Sequence, residues 1–127
     1  MEYIIATHGK LADGFKSAIS VIVGNANNIH TICAYVDGNN DVTQMLLNEI
    51  NKIGEDKKII IFTDVMFGSV NQNVVINVNN KHNIRAITGA NLVLMLDVIL
   101  QGDDVTDESL KRAVEEAKNT ISILDTF

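Results

Sequence analysis

The chain has 127 residues, 46% of them hydrophobic and 20% charged, with a mean hydropathy of +0.15, which suits one ordinary core and excludes long disorder. Ten basic against sixteen acidic residues leave a net charge of −6, which argues against a nucleic-acid surface, since phosphate contacts need clustered lysine and arginine. Apolar blocks too short for a membrane span, no basic region leading a long apolar stretch, and a single cysteine, Cys33, together predict one cytoplasmic domain over the whole chain without a disulfide.

Residues 3–6 form a short apolar run ending at Thr7, His8 and Gly9, and read as a first buried strand. Leu11, Phe15, Ala18, Ile19 and Ile22 follow at helical spacing, with Gly24 placed to close the helix. Residues 29–36 give a second strand, closed by the turn Asp37, Gly38, Asn39 and Asn40. Asp41 can cap a helix carrying Val42, Met45, Leu46, Ile50 and Ile53, which stops at Gly54. Ile59, Ile60, Ile61 and Phe62 make the clearest strand. Residues 71–80 suit two periods: Val74, Ile76 and Val78 alternate as in a strand, whereas Val70, Val74, Val75 and Val78 suit a helix. Helix is the expectation, because parallel strands need a crossover and Ser69 can cap its start. Residues 84–88 supply a fourth strand, 91–101 a mostly buried helix and 103–107 a polar turn. Leu110, Ala113, Val114, Ala117 and Ile121 mark a last amphipathic helix.

Alternating strands and helices with near-continuous apolar strands predict an α/β fold. The expected form is a doubly wound, mainly parallel four-stranded sheet in order 2-1-3-4, with helices on both faces. Ligands in such sheets bind at the carboxyl ends of the strands where the winding reverses, here between strands 1 and 3. His8 follows strand 1 and Asp64 follows strand 3, and neighbouring strands lie about 5 Å apart, so the two residues meet. A carboxylate that accepts the Nδ1–H of an imidazole fixes its tautomer, leaves the Nε2 lone pair free as a nucleophile, and stabilises the cationic ring formed when Nε2 takes an electrophile. Gly9 lets a large group approach the ring. The helix starts after Lys10 and at Ser69 favour an anion nearby, and the Ser69 hydroxyl adds a donor. Together these features describe a place where a phosphoryl group lands on His8.

Each residue alone also has an ordinary reading. His8 can be a surface or capping residue, Asp64 a turn former and Ser69 a helix cap, while Gly68 and Gly89 can serve backbone geometry. His30 and His82 read as structural, Cys33 as a small buried apolar residue, and Asp103 with Asp104 as a solvated turn. Three scattered histidines lack metal-ligand spacing, so no metal site is expected.

The strand followed by Thr7-His8-Gly9, the stretch Phe62-Thr63-Asp64 with Gly68-Ser69, and Gly89-Ala90-Asn91-Leu92 with its apolar continuation to Met95 resemble, in order and spacing, the IIA domain of mannose-type (mannose/fructose/sorbose) sugar phosphotransferase systems. The resemblance implies that His8 is the phosphorylated histidine, that Asp64 is its hydrogen-bonding partner and that Ser69 is the serine of the adjoining loop. Gly9, Gly68 and Ser69 would then flank the phosphoryl group. It further implies a homodimer that exchanges a C-terminal strand, supplied here by residues 120–124. The histidine phosphocarrier protein would charge His8 and the IIB component would discharge it, with the IIC and IID components forming the membrane channel. No metal or organic cofactor is implied. The family usually has Gly-Gly-Ser-Pro where this chain has Phe67-Gly68-Ser69-Val70, and Val93 stands where a later proline is common; Phe67 adds an apolar ring beside the site.

Two alternatives share the His-Gly pair. A histidine-phosphatase-like hydrolase also forms a phosphohistidine, but that chemistry calls for several arginines, and only Arg85 and Arg112 are present. A regulatory relative of the IIA family would dock the same partners without transferring phosphate. A response-regulator receiver would need an acidic pair where Thr7-His8-Gly9 stands.

Overall fold

The computed structural model describes residues 1–66 and 68–125. Strands and helices alternate along it: β1 (Glu2–His8), α1 (Leu11–Val23), β2 (Ile29–Ala34), α2 (Val42–Ile53), β3 (Ile59–Thr63), α3 (Ser69–Val78), β4 (Ile84–Ile87), α4 (Leu92–Gln101), a 3-10 turn at Gly102–Asp104, and α5 (Asp107–Lys118). The strands form one parallel sheet in the order β2-β1-β3-β4, as the alternation predicts.

That order decides which face each crossover covers. The chain moves one way from β1 to β2 and the other way from β2 through β3 to β4, and right-handed crossovers then put α1 on one face and α2 with α3 on the other. Pleating splits β1 and β3 accordingly. Ile4, Ala6, Ile59 and Ile61 join Leu46, Ile50, Val70 and Val74 in the core beneath α2 and α3. Tyr3, Ile5, Ile60 and Phe62 alternate with them on the other face, where Tyr3 stacks on Phe62 with ring centroids 6.3 Å apart. Every residue of β3 is buried, which accounts for its unbroken apolar run.

The contacts of the chain divide it into two compact units, Met1–Ala90 and Asn91–Phe127. The first holds the sheet with α1, α2 and α3. In the second, α4 and α5 pack on each other, Asn91 caps α4 by accepting from Leu94 N–H, and Thr106 with Ser109 forms a reciprocal capping box at the start of α5.

Residues 71–80, ambiguous by pattern, lie in helix through position 78, and Val70, Val74 and Val78 are the residues α3 buries; Val75 is exposed. On α1, Ala12 and Ile19 are buried while Leu11 and Ile22 face outward, so the inward stripe is rotated from the one drawn through the largest side chains. The last helix stops at Lys118. Residues 121–125 carry no regular structure in the single chain, with Ile121, Ile123 and Leu124 exposed.

Candidate active site

Parallel pairing brings the carboxyl ends of β1 and β3 together. Ala6 is level with Thr63, so β1 runs two residues further, to His8, while Asp64 leaves β3 directly. The Asp64 carboxylate then binds His8 twice through one oxygen: Oδ2 accepts from the His8 backbone N–H at 2.9 Å and lies 3.0 Å from Nδ1. Its other oxygen accepts from the Val65 N–H at 2.9 Å. Burial alone would raise the Asp64 carboxyl, but the His8 N–H, the His8 ring and the Val65 N–H outweigh it and hold the group below its ordinary value. An ionised carboxylate only accepts, so Nδ1 carries a ring proton, and in the neutral ring Nε2 presents its lone pair. The His8 side chain is 41% exposed against 9% for Asp64. A fixed inner nitrogen and an open outer one make the imidazole a ready nucleophile.

Three further residues surround the ring. Ser69 Oγ lies 3.4 Å from His8 Nε2. It does not cap α3: Gly68 holds the N-cap position with φ −71° and ψ 160°, and Ser69 is the first helical residue. α3 therefore starts without a side-chain cap, beside the histidine. The start of α1 differs, because the Ala12 N–H already donates to Thr7 Oγ1 at 2.8 Å. One of the N–H groups expected to be available at the start of α1 is therefore already taken.

Two glycines at the site differ in what they provide. Gly9 has φ +58° with open space around it, so it serves the turn that lets its N–H reach Ala34 O at 2.9 Å. Gly68 serves close approach: a Cβ there would sit 3.2 Å from His8 Cε1 and 3.1 Å from Val65 O. Phe67 lies outside the described residues.

Tyr35 is the residue that the sequence reading missed. It follows β2, whose last residue Ala34 is level with His8, and its ring stacks on the imidazole with centroids 5.6 Å apart and planes 28° apart. Its hydroxyl lies 2.6 Å from Ser69 Oγ. The signal was present in the topology, since the strand beside β1 must also end at the site.

The remaining candidates lie elsewhere. His30 ties β1 and β2 to α2, with Nε2 2.9 Å from Glu2 and Nδ1 3.0 Å from Glu49. Cys33 is half-buried, and burial pushes its thiol up, away from the thiolate. Arg85 donates to the carbonyls of His82 and Ile84, and Arg112 faces Glu116 along α5. Among the described residues no group of three or more His, Cys, Asp or Glu could hold a metal ion.

The comparison with protein families decides the assignment: the model described as the PTS system fructose IIA component matches residues 2–118. The chain belongs to this IIA family. No curated relative matches it. Among solved structures, a candidate permease of the phosphoenolpyruvate-dependent sugar phosphotransferase system from Klebsiella pneumoniae shares 31% identity, with a TM-score of 0.86 over 96% of this chain and 89% of that one. A IIA protein associated with the fucose utilization operon of Streptococcus pneumoniae shares 23% identity, with a TM-score of 0.85 over 97% of this chain and 92% of that one. The mannose/sorbose-specific IIA subunit of Enterococcus faecalis shares 16% identity, with a TM-score of 0.84 over 99% of this chain and 96% of that one. The last two are similar in fold. Among the described residues no helix of this IIA family member is long and apolar enough to cross a membrane.

Proposed function

We propose that this IIA family member is a cytoplasmic phosphocarrier, a single phosphotransfer domain over residues 1–127, in which His8 accepts a phosphoryl group from the histidine phosphocarrier protein and passes it to the IIB component. The observation that carries this reading is the His8–Asp64 pair, with Nδ1 held by a carboxylate and Nε2 open. The Nε2 lone pair forms a bond to phosphorus while the bond from phosphorus to the donor's ring nitrogen breaks, and that nitrogen keeps the electron pair. His8 keeps its Nδ1 proton, so the phosphorylated ring gains cationic character, which Asp64 offsets at close range. The uncapped start of α3 and the Ser69 hydroxyl face the phosphoryl oxygens. The reverse step delivers the group to IIB, and the sugar is taken up through the IIC and IID components in the membrane.

Only two arginines are present, Arg85 and Arg112, and Arg85 donates to backbone carbonyls, which favours a relay over hydrolysis, since hydrolysis through a phosphohistidine calls for several guanidinium groups. Val65 and Met66 expose apolar side chains just after Asp64, a surface suited to docking another protein. Exposed Ile121, Ile123 and Leu124 support a homodimer in which the C-terminal segment pairs with a second copy; sedimentation should show a species of twice the chain mass, and a monomer at all concentrations overturns this part.

The test of the relay is incubation with phosphoenolpyruvate, enzyme I and the phosphocarrier protein, followed by intact-mass measurement at neutral pH. One acid-labile phosphoryl group is expected on the native chain and none on His8→Ala. Labelling that survives His8→Ala overturns the reading.

A further inference from the structure

We infer that Tyr35 is a positioning residue for phosphoryl transfer, acting through its hydroxyl on Ser69; this rests on His8 being the phosphoryl acceptor. The backbone is the first observation. Tyr35 has φ +63°, in the left-handed region that a bulky residue adopts rarely and at a cost. The next turn repeats it, with Asp37 at φ +52° and Gly38 at φ +78°, and the Tyr35 N–H is held by Asn39 O at 2.8 Å. An ordinary β-region conformation would point the side chain elsewhere. The strained one lays it over His8.

The hydrogen bonds are the second observation. The Tyr35 hydroxyl and Ser69 Oγ lie 2.6 Å apart, and Ser69 Oγ lies 3.4 Å from Nε2. A phenol is the stronger donor, so the chain runs from Tyr35 to Ser69 and leaves the serine proton directed at Nε2. When Nε2 takes the phosphoryl group, that proton is aimed at a phosphoryl oxygen. A serine whose oxygen accepts a hydrogen bond is also a better donor, because linked hydrogen bonds polarise one another. Tyr35 therefore touches neither phosphorus nor its oxygens in this scheme; it fixes the rotamer and proton of the residue that does.

The step is the one given above, with the bond to Nε2 formed as the bond to the donor nitrogen breaks. Phosphoramidate is a small donor of the same kind, whose departing nitrogen leaves as ammonia. The test compares the native chain, Tyr35→Phe, Ser69→Ala and the double variant, with phosphoramidate and with the charged phosphocarrier protein as donors. Phenylalanine keeps the ring on His8 and demands the same backbone.

Tyr35→Phe should lower the maximal rate about five- to tenfold with an unchanged KM for phosphoramidate, the effect of one lost neutral hydrogen bond. The double variant should be no slower than Ser69→Ala alone, because the hydroxyl acts only through the serine. The 31P resonance of phosphorylated His8 should move in Tyr35→Phe as it does in Ser69→Ala. A native rate in Tyr35→Phe overturns the assignment, and so does a double variant slowed by the product of the two single effects. Labelling of His8 by phosphoramidate but not by the carrier protein overturns the relay while the Tyr35 comparison still decides this inference. No label from either donor overturns both.

Discussion

At the scale of single residues, the candidate site rests on how one carboxylate is shared. Asp64 Oδ2 takes two donors from His8 and Oδ1 takes the Val65 N–H, so the side chain has no free orientation. An asparagine there must turn its NH2 toward the Val65 N–H or toward the His8 N–H, donor against donor in either case. Asp64→Asn should slow labelling of His8 by roughly 10²–10⁴-fold, the scale seen where a histidine loses the acceptor that fixes its tautomer. It also removes a pH-dependent contribution to stability. The folded carboxyl lies below its ordinary value of 3.8, so the unfolded chain binds the proton more readily and the contribution is complete above that pH. It fades as the pH falls through the folded value. Urea unfolding of both proteins should show a gap that narrows as the pH falls below 3.8; a gap that widens there contradicts the assignment. His8, Asp64 and Ser69 were legible in the sequence because they stand at the end of an apolar strand, just after one and at a helix start. Tyr35 was not, since a tyrosine after a strand is common and only its φ of +63° turns it onto the imidazole.

At the scale of elements, the starts of the helices divide stability from chemistry. Thr7 is fully buried and its hydroxyl accepts the Ala12 N–H at 2.8 Å, closing the first turn of α1 from the strand that precedes it. Removing that acceptor leaves a buried donor unpaired. Thr7→Val should cost about 1–2 kcal/mol in urea unfolding, while His8 in the folded protein is still labelled. A loss of labelling with unchanged stability would instead place Thr7 in the transfer step. α3 reverses the arrangement: its N-cap is a glycine with no side chain to offer, and its first residue turns its hydroxyl to the histidine. The period of α3 was hard to read because Ile76 is exposed while Val74 and Val78 are buried, so an apolar residue sits on the solvent side and imitates alternation. The need for a crossover settled what periodicity did not.

At the scale of the whole molecule, the strand order sets one face of core against one edge of chemistry. Leu46 is fully buried in the cluster that α2 and α3 form with the sheet. Truncating such a side chain removes its transfer energy and leaves a cavity, so Leu46→Ala should cost about 2–5 kcal/mol in urea unfolding. Labelling of His8 at temperatures where the variant is folded should be retained, because the site is built at the strand ends by hydrogen bonds that Leu46 does not make. Transfer lost in the folded variant would show that α2 packing positions the site. The sheet order itself was legible: continuous apolar strands joined by helices leave few ways to bury both faces, and winding in two directions creates one switch point.

The sequence by itself determined the parallel α/β sheet, the meeting of His8 with Asp64 and the family to which the chain belongs. These depend on patterns carried locally: apolar runs, caps, and chemical groups placed just beyond strand ends. The tertiary structure decided how closely Asp64 holds His8, which glycine yields space and which gives a turn, and that Tyr35 stands over the ring. These are matters of ångström-scale distance and backbone sign between residues far apart in the chain, and they are set only when the strands are paired in register.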